Sequence, residues 1–195
     1  MDDKPSKVCK IGVFQQLVYS GDYDVVCVCE TWLNDSVLDS ELLAGYSIFR
    51  RDRLGRTGGG VLVAVKDTIR TKEKKRNNVE FVVVELFQEN MKSILLYTFY
   101  RPPNSSLDSI QQLNSSLDDN LESACVLLTG DFNLPAIDWS LDHPSPTSAG
   151  GHLEDKFCEL VGDYYLEQLI SGPTHRDGNK LDLLLCNYPE IIIGM

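Results

Sequence analysis

The stretch Cys125–Trp139, CVLLTGDFNLPAIDW, decides how this 195-residue chain is read. Its first five residues suit a buried β-strand, and they run through Gly130 directly into Asp131 and Asn133. A turn after the strand explains one polar residue. It does not explain two. On an extended chain residues two apart project to the same side, so a carboxylate and a carboxamide are expected together at the end of a core strand. Such a pair can polarise a water and hold an oxygen in place. Magnesium sites use oxygen ligands of this kind, typically one or two carboxylates with waters and substrate phosphates.

Working outward, other apolar runs end in the same way. DVVCVC (Asp24–Cys29) is followed at once by Glu30, and SILLYTFY (Ser93–Tyr100) ends on Tyr100 before RPP forces the chain out of the sheet. GVLVAV, EFVVVELF and LDLLLC complete the set of predicted strands. Their continuous apolar character points to burial on both faces. Glu30 and Asp131, each just beyond a buried strand, can converge on one sheet edge, where ligands commonly sit in α/β architectures. Either acid alone reads more readily as a plain turn residue. Asp182 lies inside LDLLL, where a charge needs a partner or a metal. Tyr100 is placed to bond a phosphate oxygen or simply to pack. TGGGV lacks the lysine of a phosphate-binding loop and precedes a strand, so it reads as a tight turn needing positive φ.

Between the strands lie helical patterns. Ile110, Leu113, Leu117 and Leu121 recur at spacings of three and four, with serines and Asp108 available as caps. Two further helices are predicted, over His152–Val161 and over Ile11–Tyr19. Helices and doubly covered strands in mixed order imply a layered α and β sandwich, and the length fits one domain over residues 1–195.

Apolar residues make up 43% of the chain and charged residues 24%, which excludes a disordered polymer. No apolar run reaches a membrane span, and the N-terminus lacks a signal-peptide core, so a soluble intracellular protein without membrane contact is expected. The six cysteines contain no CxxC pair and read as free thiols rather than as a zinc or disulfide framework. The net charge is −11, yet Arg50–Arg76 holds ten basic residues against three acids. That segment is either a solvated loop and strand edge or a track for a phosphate backbone, with Arg50, Arg51, Arg53 and Arg56 as candidate nucleic-acid contacts.

CETWLND, RDRLGRTGGGVLVAV, FYRPP, LLTGDFNLPAIDW and GPTHRDGNKLDLLLCN occur in this order from about Phe14 to Asn187. Together they resemble the endonuclease domain of non-LTR (LINE-type) retrotransposons of the jockey and CR1 kind, within the endonuclease/exonuclease/phosphatase superfamily. The resemblance implies an α+β fold, the four-layer α/β/β/α sandwich of DNase I, here incomplete at both ends. It implies a magnesium-dependent enzyme, with manganese as a substitute, that nicks DNA. Glu30 would bind the metal. Asp131 would orient or deprotonate the attacking water, Asn133 would hold the phosphate and Tyr100 would assist at the phosphate or leaving oxygen. Asp182 would orient a catalytic histidine.

Two parts of the family pattern have no counterpart here: a first strand ending in an Asn, and a closing SDH strand with its catalytic His. None of His143, His152 and His175 follows Asp182. The expectation is therefore weak or absent catalysis, with open sheet edges that favour self-association. Two alternatives stay open, a non-catalytic remnant that binds nucleic acid or protein, and a phosphatase of the same superfamily.

Overall fold

The computed structural model describes residues 7–190 apart from 54, 56, 57, 75–80, 119–124 and 142. Arg56, and Leu121 of the expected Ile110–Leu121 pattern, thus lie outside the described residues. In chain order the elements are α1 (Lys7–Gly21), β1 (Val25–Cys29), β2 (Tyr46–Arg51), β3 (Val61–Lys66), β4 (Thr71–Glu73), β5 (Phe81–Leu86), β6 (Ile94–Tyr100) and α2 (Asp108–Asp118). They continue with β7 (Cys125–Asp131), β8 (Ile137–Asp138), β9 (Ser145–Pro146), α3 (His152–Asp163), β10 (Glu167–Gln168) and β11 (Asp182–Cys186).

Two sheets carry the fold. One has the order β1-β3-β2, the other β10-β11-β7-β6-β5-β4, and β8 pairs with β9 as a small separate hairpin. Three apolar clusters fix the layers. Val18 of α1 packs with Leu62 and Ala64 of β3 on the outer face of the three-stranded sheet. Val61, Val63 and Val65 of that same strand meet Val82, Val84, Leu96 and Tyr100 of the larger sheet. The far face of the larger sheet, with Tyr97, Phe99, Val126 and Leu128, packs on Leu113 and Leu117 of α2 and Phe157 and Leu160 of α3. The result is helix, sheet, sheet, helices, the expected four-layer sandwich. Alternate residues of β3 feed different clusters, which is why its run has no polar position: both faces are buried.

The strands follow their apolar runs to within a residue or two. β2 was not among the predicted strands; its YSIFRR sequence is half-buried throughout and ends in two arginines. β1 is half-buried rather than fully buried, because it sits at the edge of its sheet. Helix α1 runs further at both ends than the pattern indicated.

One glycine is indispensable to this packing. Gly130 has φ +141, and a Cβ there would lie 1.8 Å from the carbonyl oxygen of Phe99 on the adjacent parallel strand. Only glycine lets β6 and β7 run together up to the residues that matter for chemistry.

Candidate active site

Three neighbouring strands deliver three polar residues to one end of the larger sheet. In the parallel pairing of β6 with β7, Tyr100 stands opposite Asp131. In the antiparallel pairing of β7 with β11, Asp131 stands opposite Asp182. The fourth residue arrives from the other sheet. Glu30 follows β1, adopts a left-handed φ of 56° and accepts a hydrogen bond from the Tyr100 hydroxyl. A non-glycine residue in this conformation is strained, and such strain collects at functional sites. The Tyr100–Glu30 contact spans the two sheets, so Glu30, Tyr100, Asp131 and Asp182 share one end of the sandwich.

Two expectations about orientation are corrected. Asp182 is not inside its strand: it is the first residue of β11 and is exposed, so no buried charge needs compensation. Asp131 and Asn133 are not on one extended segment, because β7 ends at Asp131 and Asn133 has φ 49°. The turn brings them together by another route. The Asn133 backbone N–H donates to Asp131 Oδ1 at 3.2 Å, and its side-chain Nδ2 donates to the Arg101 carbonyl at 2.9 Å.

Sequence reasoning missed Arg101. It is 3% exposed, and its guanidinium donates to the carbonyls of Asn133 at 3.0 Å and Ser105 at 2.8 Å. Its own backbone N–H donates to the Asp131 carbonyl at 2.8 Å. Arg101 therefore clamps the turn that carries Asp131 and Asn133. Desolvation holds its pKa below the usual arginine value. The arginine of RPP was the available clue; it read only as the start of a loop because the acceptor that matters for the site, the Asn133 carbonyl, lies 32 residues away.

The glycine run was also under-read. Thr31 and Trp32 donate their backbone N–H groups to the carbonyls of Gly60 and Gly59, at 3.3 and 3.0 Å. A Cβ on Gly60 would sit 2.5 Å from Thr31 Oγ1, and Gly60 has φ +88°. The run is a turn, as expected, and it also braces the loop that presents Glu30.

Of the candidate nucleic-acid contacts, Arg50 is held by Asp39 at 3.0 Å and Asp52 at 3.6 Å, and Arg51 by Glu73 at 2.5 Å. Both are committed within the fold. Arg53 lies over the Tyr100 ring, its Cζ 5.6 Å from the centroid, and so belongs to the site.

The site's electrostatics follow from crowding. Burial, and then the negative charges of Asp182 and Glu30, lift the Asp131 carboxyl from 3.8 to about 6, against the hydrogen bonds from Asn133. Burial and the bond to Glu30 raise the Tyr100 phenol above its ordinary value, so it stays a neutral donor. Burial pushes the thiol of Cys29, whose neighbours include Asp131, up to about 12. His175, the histidine nearest Asp182 in sequence, faces Asp177 instead, with Nδ1 3.4 Å from Oδ2.

As a cation site the ensemble offers oxygen donors only. Among the described residues no three His, Cys, Asp or Glu side chains cluster tightly enough to grip a metal by themselves. That excludes a closed zinc-type cage there. Oxygen donors are the kind magnesium takes, as one or two carboxylates with waters and phosphate oxygens completing its shell.

A family model described as the Endonuclease/Exonuclease/phosphatase family matches residues 4–191. The chain belongs to that family. Among solved structures, the endonuclease domain of TRAS1, a telomere-specific non-LTR retrotransposon, is similar with a TM-score of 0.69 and 14% identity, over 96% of this chain and 82% of that one. An AP endonuclease from Leishmania major is similar with a TM-score of 0.65 and 12% identity, over 92% and 74%. A mannosyl-6-phosphatase from Bacteroides thetaiotaomicron gives 0.57 and 14%, over 92% and 76%. A search of curated proteins gave no match. At these identities the structural likenesses show the fold, which nucleases and a phosphatase share. Among the described residues no helix is long and apolar enough to cross a membrane.

Proposed function

We propose that this family member is a magnesium-dependent phosphodiester hydrolase that nicks DNA, of the kind found in non-LTR retrotransposons, and that its turnover is slow. The observation that carries the reading is the register Tyr100–Asp131–Asp182 with Glu30 bonded across the sheets to Tyr100. The ordered motifs that resemble retrotransposon endonucleases favour DNA over a sugar phosphate as substrate.

Each side chain has a definite task in this scheme. Asp131, with its carboxyl at about 6, keeps appreciable basicity while being ionised at neutral pH, which suits it to take a proton from an attacking water. Asn133 donates from Nδ2 to the Arg101 carbonyl and to the Asp131 carboxylate, so it fixes that carboxylate, and the same Nδ2–H group is the one that would turn to a phosphate oxygen. Tyr100 keeps its phenol protonated and donates it to Glu30, which orients that carboxylate. Glu30, exposed at its strand end, would hold the magnesium, with manganese as substitute, whose bound charge offsets that developing on the phosphate.

Slowness follows from a missing donor. Among the described residues no histidine is hydrogen-bonded or ion-paired to Asp131 or Asp182. Losing one donor aimed at a transition-state oxyanion typically lowers turnover by roughly 10²–10³. The test is relaxation of supercoiled plasmid by the purified chain with magnesium, with EDTA, and with Asp131→Asn. Slow nicking that needs magnesium and vanishes in the variant is expected. A band shift without nicking would favour the non-catalytic binding reading, and neither nicking nor binding would overturn the assignment to DNA.

A further inference from the structure

At the end of the larger sheet remote from Asp131 and Asp182, β7 begins on Cys125 and β11 finishes on Cys186. The strands are neighbours, with Cys186 opposite Leu127, and the two sulfurs lie 3.7 Å apart in the apolar layer between the sheets. Cys125 is 1% exposed and Cys186 0%. Neither belongs to the candidate active site.

The contact has a direction. Cys186 Sγ already accepts the Tyr188 backbone N–H at 3.3 Å, so the Cys125 S–H is the donor across the pair. Two donors on one sulfur favour its thiolate. The bond from Cys125 outweighs burial and, with the bond from Tyr188, holds the Cys186 thiol below the ordinary cysteine value. Cys125, the donor of that bond and buried as well, is raised. The Lys92 ammonium, 5.4 Å from the centre of the Tyr188 ring, adds positive charge beside the pair. One sulfur is thus prepared as a nucleophile and the other as its protonated neighbour. The other described cysteines differ: burial pushes Cys27 and Cys158 up to about 11 and Cys29 up to about 12. Access to the pair is through the sheet edge. Outside β11 lies only the two-residue β10, whose Glu167 stands opposite Cys186. So short an edge strand opens at small free-energy cost, and an oxidant of water's size needs no wider gap.

We propose that Cys125 and Cys186 are a peroxide-reactive pair that closes to an intrachain disulfide. The Cys186 thiolate attacks one oxygen of hydrogen peroxide, the O–O bond breaks, and hydroxide leaves and takes up the proton Cys186 had lost. Cys186 is then a sulfenic acid. The Cys125 sulfur attacks the Cys186 sulfur, the S–O bond breaks, and the departing hydroxide carries the Cys125 proton away as water. Two thiols lose two electrons, and one peroxide becomes two waters. The sulfurs close from 3.7 Å to about 2 Å. The bond ties β7 to β11 in the register that sets Asp182 opposite Asp131, whatever substrate that site takes.

The test uses the folded, full-length chain. It is treated with hydrogen peroxide at neutral pH, unfolded in iodoacetamide, and mapped by mass spectrometry without reductant. The expected product is a Cys125–Cys186 cross-linked peptide pair that dithiothreitol separates. The oxidised chain should unfold at least about 4 °C above the reduced one, because a bond between residues 61 apart removes entropy from the unfolded chain. With dimedone present, Cys125→Ala should trap the sulfenic acid at Cys186, whereas Cys186→Ala should leave Cys125 unmodified. Both thiols still open to alkylation in the wild-type chain, a cross-link from either to another cysteine, dimedone on Cys125, or an unshifted midpoint would overturn the proposal. The wild-type map decides even where a variant fails to fold, and none of these readouts depends on the hydrolase reading.

Discussion

Asp131→Asn should make this protein more stable at neutral pH while removing its activity. The carboxyl is lifted from 3.8 to about 6 in the folded state by burial and by the charges of Asp182 and Glu30. The folded state therefore binds a proton more tightly than the unfolded chain. Stability from this group is highest below about 3.8, falls as pH rises through the interval to about 6, and stays at its minimum above that. Taken at full value the lift corresponds to about 3 kcal/mol of destabilisation at pH 7.5. Asp131 is only partly buried, and solvent screening reduces the figure to about 1 kcal/mol. Asparagine removes the charge and keeps an acceptor for the Asn133 N–H, so the turn survives. For a chain of this size about 1 kcal/mol appears as a rise in Tm of roughly 2–4 °C. Metal-free thermal denaturation of both proteins at pH 7.5 and pH 3.5 measures it. The gain should be present at the first pH and absent at the second, with plasmid nicking lost throughout. A gain of equal size at both pH values would refute the electrostatic reasoning. A loss at pH 7.5 would show that the carboxylate is stabilised by contacts outweighing its crowding.

Three further outcomes follow from the same geometry. Gly130→Ala, whose Cβ would meet the Phe99 carbonyl at 1.8 Å, should cost at least about 3 kcal/mol or abolish soluble expression, measured by denaturant titration; a wild-type midpoint would contradict the close approach of β6 and β7. Arg101→Met strands the carbonyls of Asn133 and Ser105 and should cost about 2–4 kcal/mol, with nicking falling further than the unfolded fraction explains; stability and activity equal to wild type would remove its role as clamp. The edge of β1, an apolar VVCVC segment with β3 on one side, should support self-association that rises with concentration, and Val25→Lys should suppress it; monodisperse scattering by the wild-type chain at high concentration would count against this.

The parts of this molecule that were legible in the sequence are those whose cause is local. β3, β5, β6 and β7 announce themselves as apolar runs because each is buried on both faces. Glu30, Tyr100 and Asp131 stood out because each polar group ends such a run. β2 did not, because Arg50 and Arg51 interrupt its pattern, and their ion pairs to Asp39 and Glu73 are made with other segments. The same pairs explain why a count of ten basic residues overstated the free positive surface: a charge sum records ions and not their partners. β8, β9 and β10 are two residues long, too short to show any period.

The site itself divides along the same line. The residues that would touch substrate were readable, whereas those that hold them were not. Arg101 acts on the carbonyl of residue 133, and Gly60 on the loop at Thr31, so the reason for each is written in another part of the chain. Asp182 shows the converse error. Within LDLLL it looked like a charge in a core strand, but the antiparallel register with Asp131 makes it the strand's first, exposed residue, and that register also places its charge where it raises the Asp131 carboxyl. The raised carboxyl of Asp131 is thus set first by burial and then by strand pairing: moving β11 by one residue would turn Asp182 to the other face of the sheet and take away the charge that adds to the lift.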